Sequence, residues 1–285
     1  MMNLLKDPLP EYAFEVSEAG IAWARPASPQ PAFQPLEPGT IAVSPLADNV
    51  HNADALADQV RSIAGGASMK RRGAVLILPD YCARVSVLEF DNFPPDPKEQ
   101  LSLVRFRMKR SVPFDVESAA ISYYSQTAKT GSKAIDVVVV VAALEIVARY
   151  EAPFRAVGLH PGLVTTSLIA MAELIPHTDI SVLARLNGKA LTVAVMNGES
   201  LKLVRCVELP EMTSDEILAV LLPTMAYVED ELGTSAARLL LCGFGNENDW
   251  QRELDVPVVP LQSNFGEPTQ HNAGLLGYLQ SMKAA

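Results

Sequence analysis

Only three cysteines, Cys82, Cys206 and Cys242, occur in the 285 residues, far apart, without a CxxC spacing and without a histidine at ligand distance along the chain. This excludes a disulfide framework and a cysteine zinc site, and leaves isolated apolar cysteines. Cations are also scarce: 23 Lys and Arg face 33 Asp and Glu, a formal net charge of −10. Broad nucleic-acid binding needs clustered Lys and Arg and is thereby excluded, and the same balance disfavours simple electrostatic docking on anionic lipid. No apolar run reaches the roughly 18–20 residues of a membrane span; the longest, 135–144, contains Asp136 and has the length of a strand. The start, Met1-Met2-Asn3-Leu4-Leu5-Lys6-Asp7-Pro8, places an acid and a proline where a signal peptide stays apolar, so a cytosolic chain is expected. The four histidines, His51, His160, His177 and His271, each adjoin Pro or Asn and read as loop residues, and no GxSxG elbow occurs. A hydrolase triad is not expected. What the chain does have is apolar bulk, 49% hydrophobic residues, enough for about two domains with real cores.

The patterning divides the chain into two halves and an insert. Residues 12–17 and 21–24 alternate about a turn as a β-hairpin. Pro26, Pro29, Pro31, Pro35 and Pro38 exclude one continuous strand or helix across 26–38, which reads as a surface loop. A helix over 52–63 starts at Asn52 and stops at Gly65-Gly66, and 73–78 is a strand apolar on both faces. A smaller unit follows. It has a strand over 84–90, a rigid turn at 93–97, and a basic helix over 99–110 with Leu101, Val104 and Met108 inward. Strands over 118–125 and 134–142, joined by a polar turn at 129–132, precede a helix over 144–157 closed by Gly158. Beyond it, 163–174 reads as helix. Strands over 180–186, 190–197 and 201–209 are linked by Asn187-Gly188 and Asn197-Gly198, the strongest short hairpin signal. A helix over 214–232 with a kink or start near Pro223, strands over 238–242 and 256–259, and a helix over 272–283 complete the pattern.

This order suggests the two related halves of the actin-like ATPase fold, and the local match is closer. Ile77-Leu-Pro-Asp80, Arg84-Val-Ser-Val-Leu-Glu-Phe90, Leu103-Val-Arg-Phe-Arg107 and Val112-Pro-Phe-Asp-Val116 resemble the inserted subdomain of the PilM family. Val138 to Ala143, Val147-Ala-Arg-Tyr150 and Ala156-Val-Gly-Leu-His-Pro161 resemble the stretch that follows it. PilM-like proteins are cytoplasmic actin-like components of type IV pilus assembly machines, related to FtsA. The resemblance implies an α/β chain with a duplicated actin-like (ribonuclease H-like) fold and a small inserted β-α-β-β-α subdomain. The expected division is a first half over 1–80 continued by 158–175, an insert over 81–157, and a second half over 176–285.

The fold holds Mg-ATP with a hairpin after each half's first strand, where a carboxylate holds the metal's water shell and bare amides cradle phosphates. Here the first hairpin offers Glu15, Ser17, Glu18 and Gly20 but no Asp-x-Gly. The second keeps Asn187 and Gly188 but has Ala184 or Arg185 where the acid should stand. The adenosine-side loop, Gly243-Phe244-Gly245, puts a bulky Phe in the nucleotide's expected path. Three degraded elements together imply that ATP and Mg are not bound, so no catalytic residue, metal ligand or cofactor is expected.

In PilM-like proteins the short cytoplasmic N-terminus of a PilN-like inner-membrane protein lies in a groove between the first subdomain and the insert. Carried over, the candidate lining is Leu78, Leu88, Phe90, Val104, Arg107, Pro113 and Phe114. Pilus motor ATPases and a second copy of the chain are further partners that the resemblance allows. The cations Arg84, Arg105, Arg107, Lys109 and Arg110 read either as a solvated face or as a docking face for an acidic partner or membrane surface. Met2-Asn3-Leu4-Leu5-Lys6 is similar to the motif that PilN-like partners present, and reads as a frayed terminus or a plug of the groove. Beside the non-catalytic scaffold stand two alternatives: an ATPase using Glu15 or Glu18, and a cytoplasmic component of a type II secretion platform.

Overall fold

The alternating residues at the start form strands β1 (Tyr12–Val16) and β2 (Gly20–Arg25), paired antiparallel with Val16 opposite Ile21. The computed structural model describes residues 9–65, 72–126, 134–244 and 247–284. The turn expected at 129–132, the Leu4-Leu5 motif and Gly245 lie outside the described residues. The proline-rich stretch is not a loop but a third strand, β3 (Ser28–Pro35), antiparallel to β2. Pro29, Pro31 and Pro35 fall on alternate residues of the sheet's outermost strand, so one side of β3 lacks N–H groups that no neighbour requires. The other side still donates, as Leu36 N–H does to the Ala19 carbonyl at 3.0 Å.

Helix α1 (Ala53–Ala64) is capped by the Asn52 side chain, which accepts from Ala55 N–H at 3.0 Å. Strand β4 (Arg72–Leu78) runs parallel to β1. Strand β5 (Arg84–Phe90) leads to α2 (Pro97–Met108), with Asp96 at its N-cap and proline at the first helical position. Then come β6 (Ala119–Ser125), β7 (Ile135–Ala143), α3 (Leu144–Ala156), β8 (Leu159–Thr166) and the short α4 (Ser167–Met171). The second half opens with β9 (Ile180–Asn187), β10 (Ala190–Asn197) and β11 (Ser200–Glu208), the two Asn-Gly turns joining them. Helix α5 (Ser214–Leu232), β12 (Arg238–Cys242), α6 (Glu247–Leu254), β13 (Val258–Pro260) and α7 (Ala273–Ala284) follow.

The strands assemble into β3-β2-β1-β4-β8, β11-β10-β9-β12-β13 and β5-β7-β6. In both five-stranded sheets two antiparallel pairings are followed by two parallel ones, so the same five-strand unit occurs twice. Strand 135–143 sits in the three-stranded sheet, buried on both faces. Val137, Val139 and Val141 pack against Val104 and Met108 of α2, while Val138 packs with Leu168 and Leu201 of the main body.

Further expectations change. Residues 163–166, expected to begin a helix, instead end β8: Pro161 and Gly162 are tolerated on a terminal strand, where the register against β4 shifts between Ala74 and Val75. His160 is therefore a strand residue. Helix α3 is not part of the insert's layer: its stripe Ile146, Tyr150 and Phe154 packs into the core beneath the first sheet, Phe154 edge-on to Phe14 at 5.1 Å. It is the crossover between the insert and β8, so the inserted layer is β-α-β-β. Helix α5 starts at Ser214 from a Thr213–Glu216 capping box, not near Pro223, which lies inside it. Finally, α7 does not stay with the second half. Leu275 and Leu279 pack on Ala13, Ala22 and Ile77 of the first sheet, and a Cβ on Gly277 would lie 2.1 Å from the Ala170 carbonyl oxygen of α4.

Candidate functional site

Glu15 and Arg185 hold matching places in the duplicated unit, each near the end of the central first strand and just before a hairpin turn. Folding brings them together. Arg185 Nη2 donates to Glu15 Oε1 at 2.7 Å, and Nη1 to Asp80 Oδ2 at 3.4 Å; the Arg185 and Glu15 side chains are 1% and 0% exposed. Asp80 reaches the pair because Pro79 ends β4 and turns the chain into a single 3-10 turn.

The remaining lone pairs are also spoken for. The Ser167 hydroxyl donates to Glu15 Oε1 at 2.6 Å and the Leu275 N–H, in the first turn of α7, to Oε2 at 2.8 Å. Leu168 N–H donates to Asp80 Oδ1 at 2.6 Å and the Thr192 hydroxyl to Oδ2 at 3.1 Å. Arg185 Nη2 also donates to the Gln270 carbonyl at 2.7 Å. Both halves, the short helix α4 and the returning α7 are thus tied through one guanidinium.

Burial pushes the Glu15 carboxyl above its ordinary range, against the pull of Arg185, the Ser167 hydroxyl and the Leu275 amide. Asp80 is raised for the same reason, against Arg185 and the Leu168 amide. Burial works against the Arg185 charge too, yet the two carboxylates hold it above the usual guanidinium range. The neighbouring thiols are inert: burial raises Cys206 to about 12 and Cys242 to about 11.

A magnesium nucleotide does not fit this arrangement. The two carboxylates that could hold a metal's water shell hold the Arg185 guanidinium instead. The hairpin tips are in contact: a Cβ on Gly188 would lie 3.2 Å from Glu18 Oε2, while Glu18 Oε1 accepts Val43 N–H at 2.7 Å. A cavity of about 640 Å³ remains at the hairpin mouth, edged by Glu18, Asn187, Gly188, Gln270 and His271. Its acid would repel phosphates, and burial and Arg185 lower His271, so the ring is not a cation at neutral pH. Gly20 is consumed by packing under the Gln34 carbonyl and the Phe33 ring. The Ser17 hydroxyl donates to the Gly20 carbonyl within its own turn, at 3.0 Å. Gly243, at φ 83°, leaves room for no Cβ against Leu186 O. Phe244 packs edge-on against Trp250 at 5.6 Å. Among the described residues no group of three His, Cys, Asp or Glu side chains is placed to hold a metal.

The partner candidates separate in space. Leu78 lines a cleft of about 140 Å³ between the first sheet and the insert. Phe90 and Val104 are buried in the insert's own core, with Leu88 and Phe114 packed against them. Arg107 lies over the Phe90 ring at 5.1 Å, and Pro113 is exposed on the loop beyond α2. The cleft itself is built from Leu78, Ser122, Val140, Val147, Val164 and Thr166, that is from β4, β6, β7, α3 and β8. Strands β6 and β8 are each the last in their sheet. Reading 163–174 as helix hid Val164. Asp80, Ser167 and Thr192 were also missed, although an arginine replacing an acid at a repeated position was the signal that a second acid should lie near.

No family model matches the sequence, and no curated protein does. Among solved structures, a PilM–PilN type IV pilus biogenesis complex contains a chain that is similar with a TM-score of 0.71 and 17% identity, over 96% of this chain and 99% of that one. The cytoplasmic domain of EpsL, an inner-membrane component of the type II secretion system of Vibrio cholerae, is similar with a TM-score of 0.52 and 18% identity, over 96% and 93%. With the twice-repeated five-strand unit, the chain has the duplicated actin-like α/β fold, in the form shared by PilM, with an inserted subdomain.

Proposed function

We propose that this chain is a non-catalytic scaffold of a type IV pilus inner-membrane assembly platform, one that captures a short cytoplasmic peptide of a PilN-like membrane protein. The observation that carries this reading is Arg185: a buried arginine bound by Glu15 and Asp80 takes the metal's place and joins the two halves without nucleotide. The peptide's place is the cleft between β8 and β6. An extended segment there could use the free edges of both strands for backbone hydrogen bonds and the apolar floor of Leu78, Val140, Val147 and Val164 for side-chain anchors. No helix among the described residues is long and apolar enough to cross a membrane, so attachment would come through the partner. The likeness to the EpsL domain favours a second reading, the same role in a type II secretion platform, with a peptide from that machine in the same cleft.

The test is a titration of the chain with the N-terminal cytoplasmic peptide of a PilN-like membrane protein. Ser122→Arg, an exposed position that fills the cleft with bulk and charge, is expected to weaken binding at least tenfold while the melting temperature holds. Phe114→Ala, which acts inside the insert's own core, is expected to leave the affinity within about twofold. Unchanged binding by Ser122→Arg would place the peptide elsewhere.

A further inference from the structure

Helix α2 is pinned from one side only. Val104 and Met108 are fully buried against the insert's sheet, and nothing covers the opposite side among the described residues. At the centre of that outer side stands Phe106, 74% exposed, more than any other large hydrophobic side chain described. Its helical neighbours at −4, +3 and +4 are Ser102, Lys109 and Arg110, all exposed. Residues 97–113 carry Lys98, Arg105, Arg107, Lys109 and Arg110 against Glu99, a local charge of +4 in a chain of −10.

Acids flank this stretch at both ends and offset part of its charge, leaving the unpaired cations on the outer side of α2 and the turn after it. Asp96 and Asp115 accept backbone N–H groups at the starts of α2 and of the turn at 116–118, and Glu117 faces Arg105 at 3.7 Å. Arg107 is held upright over Phe90, its Nη1 donating to the Glu89 carbonyl at 3.3 Å. Lys98, Lys109 and Arg110 have no ion-pair partner among the described residues.

We propose that the outer side of α2, with the turn after it, is a contact surface for anionic lipid headgroups. A lone exposed ring falls far short of the roughly 800 Å² per partner that a stable protein interface buries. It suits a membrane surface, where one aromatic side chain enters the headgroup layer and the long Lys and Arg chains around it stay with the phosphates. The overall negative charge does not oppose this, because fields from exposed charges fall off within about 8 Å at physiological salt.

Sedimentation of the full chain with vesicles tests the proposal without any partner peptide, so its outcome is independent of the scaffold reading. Vesicles one-third phosphatidylglycerol in phosphatidylcholine should bind the chain at low salt and release it at high salt, and pure phosphatidylcholine should not bind it. Lys109→Glu with Arg110→Glu should weaken binding at least tenfold, and Phe106→Ser severalfold, with melting temperatures unchanged because all three side chains are exposed. No binding by the wild type, equal binding to neutral vesicles, or binding indifferent to the double charge reversal would each overturn it. So would capture of the wild type by a polyglutamate peptide together with unchanged vesicle binding by Phe106→Ser, since that pattern describes a dock for an acidic protein segment.

Discussion

Replacing Arg185 with methionine, which keeps most of the volume and removes the charge, is expected to destabilise the protein by about 3–5 kcal/mol, read as a shift in the urea midpoint at constant slope. The cost comes from what is left behind. Glu15 and Asp80 are 0% and 6% exposed and would face each other with no cation between them. Neutralising them in the same molecule, as Glu15→Gln with Asp80→Asn and Arg185→Met, should recover most of the loss, a departure from additivity that only a coupled cluster shows. The pH dependence gives an independent check. In Arg185→Met both carboxyls should titrate further above their reference values of 4.5 and 3.8 than they already do. A carboxyl whose pKa is raised on folding contributes stability below its unfolded value and loses it as pH rises through the folded one. The deficit of the variant should therefore narrow as pH falls from neutrality. A deficit that stays constant would make the loss one of packing alone.

A second large effect is expected at the far end of the same cluster. Gly277 of α7 rests on α4 so closely that an added Cβ would lie 2.1 Å from Ala170 O and 2.5 Å from Met171 Cα, both of them backbone atoms that cannot rotate aside. Gly277→Leu should cost about 2–3 kcal/mol by overpacking, and by lifting α7 it should also draw the Leu275 N–H away from Glu15. Gly162→Ala is the matched control, since nothing lies within 4 Å of its Cβ position and the change should stay within about 0.5 kcal/mol. Equal losses from both substitutions would mean that α7 is not held by this close contact.

Much of this architecture was legible in the sequence because its signals are local. The Asn-Gly turns at 187–188 and 197–198, the cap at Asn52 and the apolar run 73–78 each fix an element from a few adjacent residues. The failures share a cause as well. Prolines at 29, 31 and 35, and the Pro161-Gly162 pair, signal breaks in a chain taken alone; only the sheet order shows that both segments are outer strands with an idle side. The membership of α3 and α7 in the first half depends on contacts between residues more than 100 positions apart, such as the Tyr150 hydroxyl on Asn49 Oδ1 at 3.1 Å and Leu275 N–H on Glu15, 260 positions away. The site was half visible. The missing Asp-x-Gly of the first hairpin and the lost acid of the second could be read directly, but Arg185 looked like an absence until Asp80, brought in by the turn after β4, showed it to be the cation of a cluster with Glu15. The partner candidates divide between the cleft, which Leu78 lines, and the insert's own core for a simpler reason: alternation in 84–90 and 99–110 reveals which side chains are apolar, not which of the two available cores they enter.

The central claim is that an internal cation has replaced the metal nucleotide as the tie between the halves. It is tested most directly by the melting temperature of the wild type with and without millimolar Mg-ATP. A ligand that binds only the folded state at a hundred times its dissociation constant adds about 2.7 kcal/mol, which no melting curve would miss. The expected result is no shift. A clear rise that disappears in Glu15→Gln would contradict the claim, because it would mean that Glu15 leaves Arg185 to serve a nucleotide.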